Sequence, residues 1–273
     1  MPTTTETTTR IPTRLGALHA RILGDGPTTV VCWPSMFVDG HTFDTLAPVL
    51  ALERRVVVVD GPGLGLSDPL TRVSSIDEAA GAAEDLLAAL AAGPVDWLGN
   101  AFGGHVGLKL ARRDGLLRSL VAISSPVEAI SPELRRRIRM LLPLVNLIGA
   151  RGPIPGVVRQ AMLTDASAAD PRMRSVLDDS LARPTRRSLA LAIRSFILER
   201  RDVTDELAAI RVPSLFVASD DRGDWAPEDA AASAAITPHA RAVTIAAART
   251  LVPLEQPQAL HAQVRAFWAE RQD

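Results

Sequence analysis

The chain has 273 residues, 47% of them hydrophobic and 22% charged, with a net charge of −1. This is the composition of a water-soluble globular domain, and the balanced charge excludes a partner recruited by electrostatics alone, such as nucleic acid or an anionic membrane. A single cysteine, Cys32, excludes a disulfide framework and a cysteine-based metal site.

The first ten residues, MPTTTETTTR, are polar and Thr-rich and predict a disordered tail over 1–12. Two β-type stretches follow, RLGALHARILG (14–24) and TTVVCWPS (28–35). The second is nearly all apolar, as a strand buried on both faces is. A loop and a helix over about 40–53 lead to RRVVVVDGPGLGLSD (54–68), a valine strand ended by a Gly/Pro-rich turn. Residues 75–92 carry Ala and Leu at helical spacing, and VDWLGN (95–100) is the next strand. The turn GNAFGG, a helix over 103–113 and the strand SLVAISSP (119–126) extend the alternation. Such alternation predicts an α/β fold with a mostly parallel central sheet flanked by helices.

After Pro126 the pattern changes to helix-like segments broken by Pro and Gly. The stretch 127–200 therefore reads as an inserted helical lid on a core made of 13–126 and 201–273. The sheet resumes at VPSLFVASDD (212–221) and ARAVTIAAA (240–248), and a helix over 255–270 ends the chain. No apolar run reaches 18 residues, so no membrane span is expected.

Taken in order, VVCWPSMFVDGHTFD, DGPGLGLSD, GNAFGG, the lid, VASDDR and LVPLEQP resemble the α/β-hydrolase fold family from residue 14 to the C-terminus. The resemblance implies a nucleophile elbow at Ala101, between Gly99 and Gly103, where alanine supplies no nucleophile. It places Thr250 where the family has its general-base histidine, and a threonine hydroxyl takes no proton at neutral pH. It places Asp221 at the acid position, with Asp220 beside it, and makes the backbone N–H groups of Met36 and Phe102 the oxyanion donors. The family's His-Gly after the third strand reads Pro34-Ser35.

Other side chains could contribute to such a site. His105 lies one turn into the elbow helix, on the face of Ala101, although the positive helix end disfavours its charged form. His41, beside Asp39, and Ser35 border the pocket loop, and Arg249 is placed to pair with Asp221 or to bind a substrate oxygen. Asp224 and Trp225 follow the acid strand at the lid rim, whereas His19, His239 and His261 are expected at the surface. Arg135, Arg136, Arg137 and Arg139 read as the wet face of a lid helix, with Leu141, Leu142, Leu144, Val145 and Ile148 supplying apolar surface. The absence of tyrosine excludes an epoxide hydrolase that protonates with lid tyrosines, and Ala101 with Phe102 excludes a haloalkane dehalogenase. Lys109, the only lysine, lies mid-helix beyond the elbow, which discounts Schiff-base chemistry.

The expectation is a triad-degenerate member acting on an apolar small molecule without metal or organic cofactor, as a lyase, cyclase, isomerase or atypical hydrolase. A non-catalytic ligand-binding or scaffolding pseudo-hydrolase and an inactivated serine hydrolase are the alternatives. A cytoplasmic monomer or weak homodimer completes the reading.

Overall fold

The computed structural model of the chain describes residues 6–221 and 225–270. Eight strands form one sheet: β1 (Glu6–Ile11), β2 (Leu18–Leu23), β3 (Thr29–Trp33), β4 (Arg55–Val59), β5 (Val95–Asn100), β6 (Leu117–Ile123), β7 (Ser214–Ser219) and β8 (Ala240–Ile245). Their order is β1-β2-β4-β3-β5-β6-β7-β8. The pairs from β4 through β8 are parallel, while β1 and β2 add an antiparallel edge.

The tail expected to be disordered is a strand from Glu6 onward; residues 1–5 lie outside the described residues. Its threonines are polar but β-branched, which suits an edge strand, and every residue of β1 finds a partner on β2, from Glu6↔Leu23 to Ile11↔Leu18.

The parallel strands are apolar on both faces because each face has its own cover. In β3, Val31 and Trp33 join the larger core and Val30 and Cys32 the smaller one, as period-2 alternation requires. The smaller core is closed by α1 (Ala47–Leu50) and α11 (Pro257–Ala269). The larger core is closed by α2 (Ile76–Ala89) and α3 (Phe102–Leu110). Helix α2 starts at a capping box in which the Ser75 side chain accepts from Glu78 N and Glu78 accepts from Ser75 N.

The segment between β6 and β7 is helical: α4 (Pro132–Ile148), α5 (Ile154–Met162), α6 (Asp165–Ala169), α7 (Pro171–Ala182) and α8 (Arg186–Ile193), with a π-type turn over Arg194–Leu198. Helix α4 runs through Pro143, where a break is expected from sequence. Two further α-helices are α9 (Pro227–Ile236) and the single turn α10 (Val252–Glu255), and short 3-10 turns lie at Gly40–Phe43 and Thr204–Ala209. The helical segment is tied to the core by hydrogen bonds. Ser188 Oγ donates to Gly63 O at 2.9 Å and accepts from Leu70 N at 3.0 Å, and Ser195 Oγ accepts from Ser74 N at 2.9 Å.

Candidate functional site

Ala101 joins β5 to α3 with φ 45° and ψ −102°, a left-handed conformation that costs a non-glycine residue about 1–3 kcal/mol. The turn is tight because the residues around it lack side chains. A Cβ at Gly99 would lie 2.2 Å from Gly103 O, and one at Gly103 would lie 2.1 Å from Trp33 O. The Ala101 N–H donates to Ile123 O at 2.7 Å, and Trp97 Nε1 donates to Gly103 O at 2.9 Å. Aromatic rings fill the space behind the turn. Trp97 stacks on Trp33 at 5.4 Å, Trp33 meets Phe102 edge-on at 6.3 Å, and Phe102 stacks on Phe196 beneath the helical cover at 4.3 Å.

This elbow opens onto a cavity of about 400 Å³. Ala101, Met36, Phe102, Ser35 and His105 all line it. Phe102 is the first residue of α3, so its N–H has no acceptor within the helix and carries the positive end of the helix dipole. A group bound against Ala101 therefore lies beside the free N–H of the helix start and meets no nucleophile at position 101.

His105 is buried and its Nε2 lies 2.9 Å from Pro126 O, which makes Nε2–H the donor. Burial pushes this imidazole down to about 3, with the charge of Arg200 adding to the effect against the Pro126 carbonyl. It is neutral at pH 7 and too weak a base to accept a proton in turnover. Ser131 and Arg200 add polar groups to the wall.

Asp221 stands elsewhere. Arg249, 3% exposed, holds it through Nη2···Oδ2 at 3.0 Å and Nε···O at 3.2 Å, and also donates to Gln160 O at 2.5 Å. The Arg249 N–H donates to Glu255 Oε2 at 2.8 Å, and Glu255 Oε1 accepts from Thr164 N at 2.8 Å. Asp221 and Glu255 line a separate surface hollow with Thr164 and Asp165. Arg249 and Asp221 thus form an ion pair that joins the β7 end to the helical segment, and neither lines the elbow cavity. Removing one partner of such a pair is more costly than the pair is stabilising. Thr250 is buried beside them, with its O accepting from Asn100 Nδ2 at 2.8 Å and its Oγ1 unpartnered among the described residues.

Trp225 and His41 also lie away from the cavity, and His19 is not at the surface. Trp225 is 1% exposed and packs on Phe216 at 5.3 Å, a core residue and not a rim; Asp224 falls outside the described residues. His19, expected at the surface, is bound to Asp60 at 3.0 Å with its side chain 12% exposed. His41 bonds the buried Asp39 at 2.8 Å, and Asp39 is also clasped by Arg183 at the end of α7. This trio fastens the loop carrying Met36 to the helical cover.

The Asp39 hydrogen bond raises the His41 pKa above its ordinary 6.5, so this contact stabilises fully below pH 6.5 and is lost as pH rises through the folded value. Burial alone would raise Asp39, but His41 and Arg183 hold it below 3.8, and its contribution is lost only as pH falls through that lowered value. His41→Ala is therefore expected to lower thermal stability at pH 6 and to change little at pH 9. The effect is at most about 1 kcal/mol for so exposed a ring. Melting curves at the two pH values check it, and equal losses at both would show that the ring is uncharged.

Phe37, Phe196 and Glu255 complete the site and its supports without having been singled out from sequence. Phe37 has φ 70°, which only a loop's backbone shows, and Glu255 stood inside the LVPLEQP landmark. Among the described residues no three His, Cys, Asp or Glu side chains converge as a metal site, and no helix is long and apolar enough to cross a membrane.

A family model described as the alpha/beta hydrolase family matches residues 24–263. Polyketide synthase ThaQ of Burkholderia thailandensis is 31% identical over 282 aligned residues, which cover 93% of this chain and 12% of the synthase. The chain thus matches a small part of a much longer protein. An esterase from Thermogutta terrifontis superimposes with a TM-score of 0.86 at 22% identity, covering 97% of this chain and 98% of the esterase. The enol-lactonase from Burkholderia xenovorans superimposes with a TM-score of 0.87 at 20% identity, covering 96% and 100%. At such identities these two structures speak for the fold alone.

Proposed function

Because the chain belongs to the α/β-hydrolase family, we propose that its elbow cavity binds a carbonyl-bearing, largely apolar small molecule and converts it without a covalent bond to residue 101. The observation that carries this reading is the elbow itself. Ala101 keeps a strained backbone although it has no nucleophile to present, and the turn sets the free Phe102 N–H at the helix start beside the cavity that Met36 also lines, which supports reading these two N–H groups as the donors. Donors preset around a carbonyl oxygen stabilise charge that develops on it, by about 3 kcal/mol each in acyl-transfer enzymes. An enolate gains from them as a tetrahedral oxyanion does, which suits a lyase, cyclase or isomerase reaction in which the substrate or water supplies the moving proton. Asp221 is read as the anchor of Arg249 and not as the acid of the reaction. The likeness to part of a polyketide synthase favours a substrate with carbonyl and hydroxyl groups along a carbon chain.

The test incubates the protein with β-hydroxy ketones and 1,3-diketones and follows them by mass spectrometry, alongside Ala101→Leu, which obstructs the cavity at the elbow. Conversion by the protein and none by the folded variant supports the reading; equal conversion by both overturns it. A ligand retained unchanged would favour a second reading, a non-catalytic binding protein. The neutral, weakly basic His105 in the cavity wall speaks for that alternative.

A further inference from the structure

Resting on the reading of the elbow cavity as the substrate site, we propose that the substrate is a linear amphiphile. Its carbonyl end lies at Ala101 and its hydrocarbon chain passes Phe37 into a second chamber inside the helical cover. That chamber, of about 490 Å³, lies between α4, α5 and α8. It adjoins the elbow cavity, and Phe37, Leu134 and Ile197 form the wall common to both.

The two chambers differ in chemistry. Around the elbow the wall includes Ser35, His105, Glu128, Ser131, Arg200 and Asp229. In the outer chamber Ile138, Leu141 and Val145 of α4 face Ile154, Val157 and Val158 of α5, with Arg137 and Gln160 the polar side chains among its lining. Leu134, Ile138, Leu141 and Val145 follow i, i+4, i+7, i+11 spacing, so one stripe of α4 forms the wall. Leu134, Leu141 and Val157 nonetheless stay 42%, 36% and 46% exposed, apolar surface that a bound chain would cover.

The shared wall selects the occupant. A chain attached to a compound held at the elbow has only the side chains of Phe37, Leu134 and Ile197 to pass before it enters the outer chamber, and an unbranched hydrocarbon needs no hydrogen-bond partner there. From Leu134 to Val145 the wall runs eleven residues, roughly 16 Å of helix, which matches an extended chain of roughly a dozen carbons. Phe37, held at φ 70° beside Met36, stands where the two chambers meet. Passage of the chain thus adjoins the loop that carries an oxyanion donor.

The experiment is calorimetric titration of the full chain with methyl ketones from 2-hexanone to 2-tetradecanone. The association constant is expected to rise roughly fourfold per methylene buried and to level off near a dozen carbons. Val158→Trp and Ala161→Trp each place an indole in the outer chamber. Val158 is buried, so its replacement can unfold the chain; Ala161 is exposed and keeps the test available. The folded plug variants are expected to lose the rise beyond 2-octanone while binding 2-hexanone within about twofold of the parent. A flat series in the parent, or the same rise in a folded plug variant, overturns the proposal. Chain-dependent binding with no converted carbonyl compound would sink the catalytic reading alone. Conversion with no dependence on chain length would sink the channel alone.

Discussion

The protein is expected to hydrolyse p-nitrophenyl butyrate no faster than buffer, and Ala101→Ser alone is expected to leave that unchanged. A serine hydroxyl needs a base, and position 250 offers a threonine buried against Asn100. His105 shares the cavity but, at a pKa of about 3, withdraws no proton from a serine at neutral pH. The double variant Ala101→Ser, Thr250→His supplies a nucleophile and a base together. In serine proteases removal of either costs roughly 10⁶ in turnover, so even a poorly placed pair is expected to exceed the single variant by about 10²-fold or more. It falls short of a complete triad because Arg249 already holds Asp221. Esterase rates, with covalent labelling by a fluorophosphonate, check this. Labelling of the parent protein would show that another residue acts as nucleophile.

Gly103→Ala is expected to lower the free energy of unfolding by about 3 kcal/mol or more. The added methyl would sit 2.1 Å from Trp33 O and 2.7 Å from Trp33 C, backbone atoms of β3 that cannot swing aside. Relief requires α3 to move away from the sheet, which would carry the Phe102 donor with it. Gly93→Ala is the control, because a Cβ there meets nothing within 4 Å, and it is expected to shift stability by less than about 0.5 kcal/mol. Urea denaturation of both variants decides the matter. A loss below about 1 kcal/mol for Gly103→Ala would mean that the strand–helix contact is soft.

Much of this architecture is legible in the sequence because burial on two faces leaves a plain mark. Val56 to Val59 can be nothing but an inner strand, and the glycines of GNAFGG mark a close approach of two backbones. β1 escapes because its residues are polar and only pairing with β2 orders them. α9 escapes because its sequence PEDAAASAAI has no large side chain before its last position to mark a buried stripe. The elbow turn could be read; its neighbourhood could not. Spacing places Trp225 and His41 near the pocket in the chain, but the direction a loop side chain takes depends on what it packs against, here Phe216 and Asp39. The outer chamber depends on how α4, α5 and α8 lean together, which the periodicity of each helix alone does not encode.

The column of rings from Trp97 through Trp33 and Phe102 to Phe196 has an optical consequence. With no tyrosine in the chain, near-ultraviolet circular dichroism comes from four tryptophans and six phenylalanines. Trp33 and Trp97, 5.4 Å apart and 30° from coplanar, are close enough for their transitions to couple. Coupling of their intense far-ultraviolet transitions is expected to give paired bands of opposite sign that report on the floor of the elbow, a label-free gauge of whether that floor is intact.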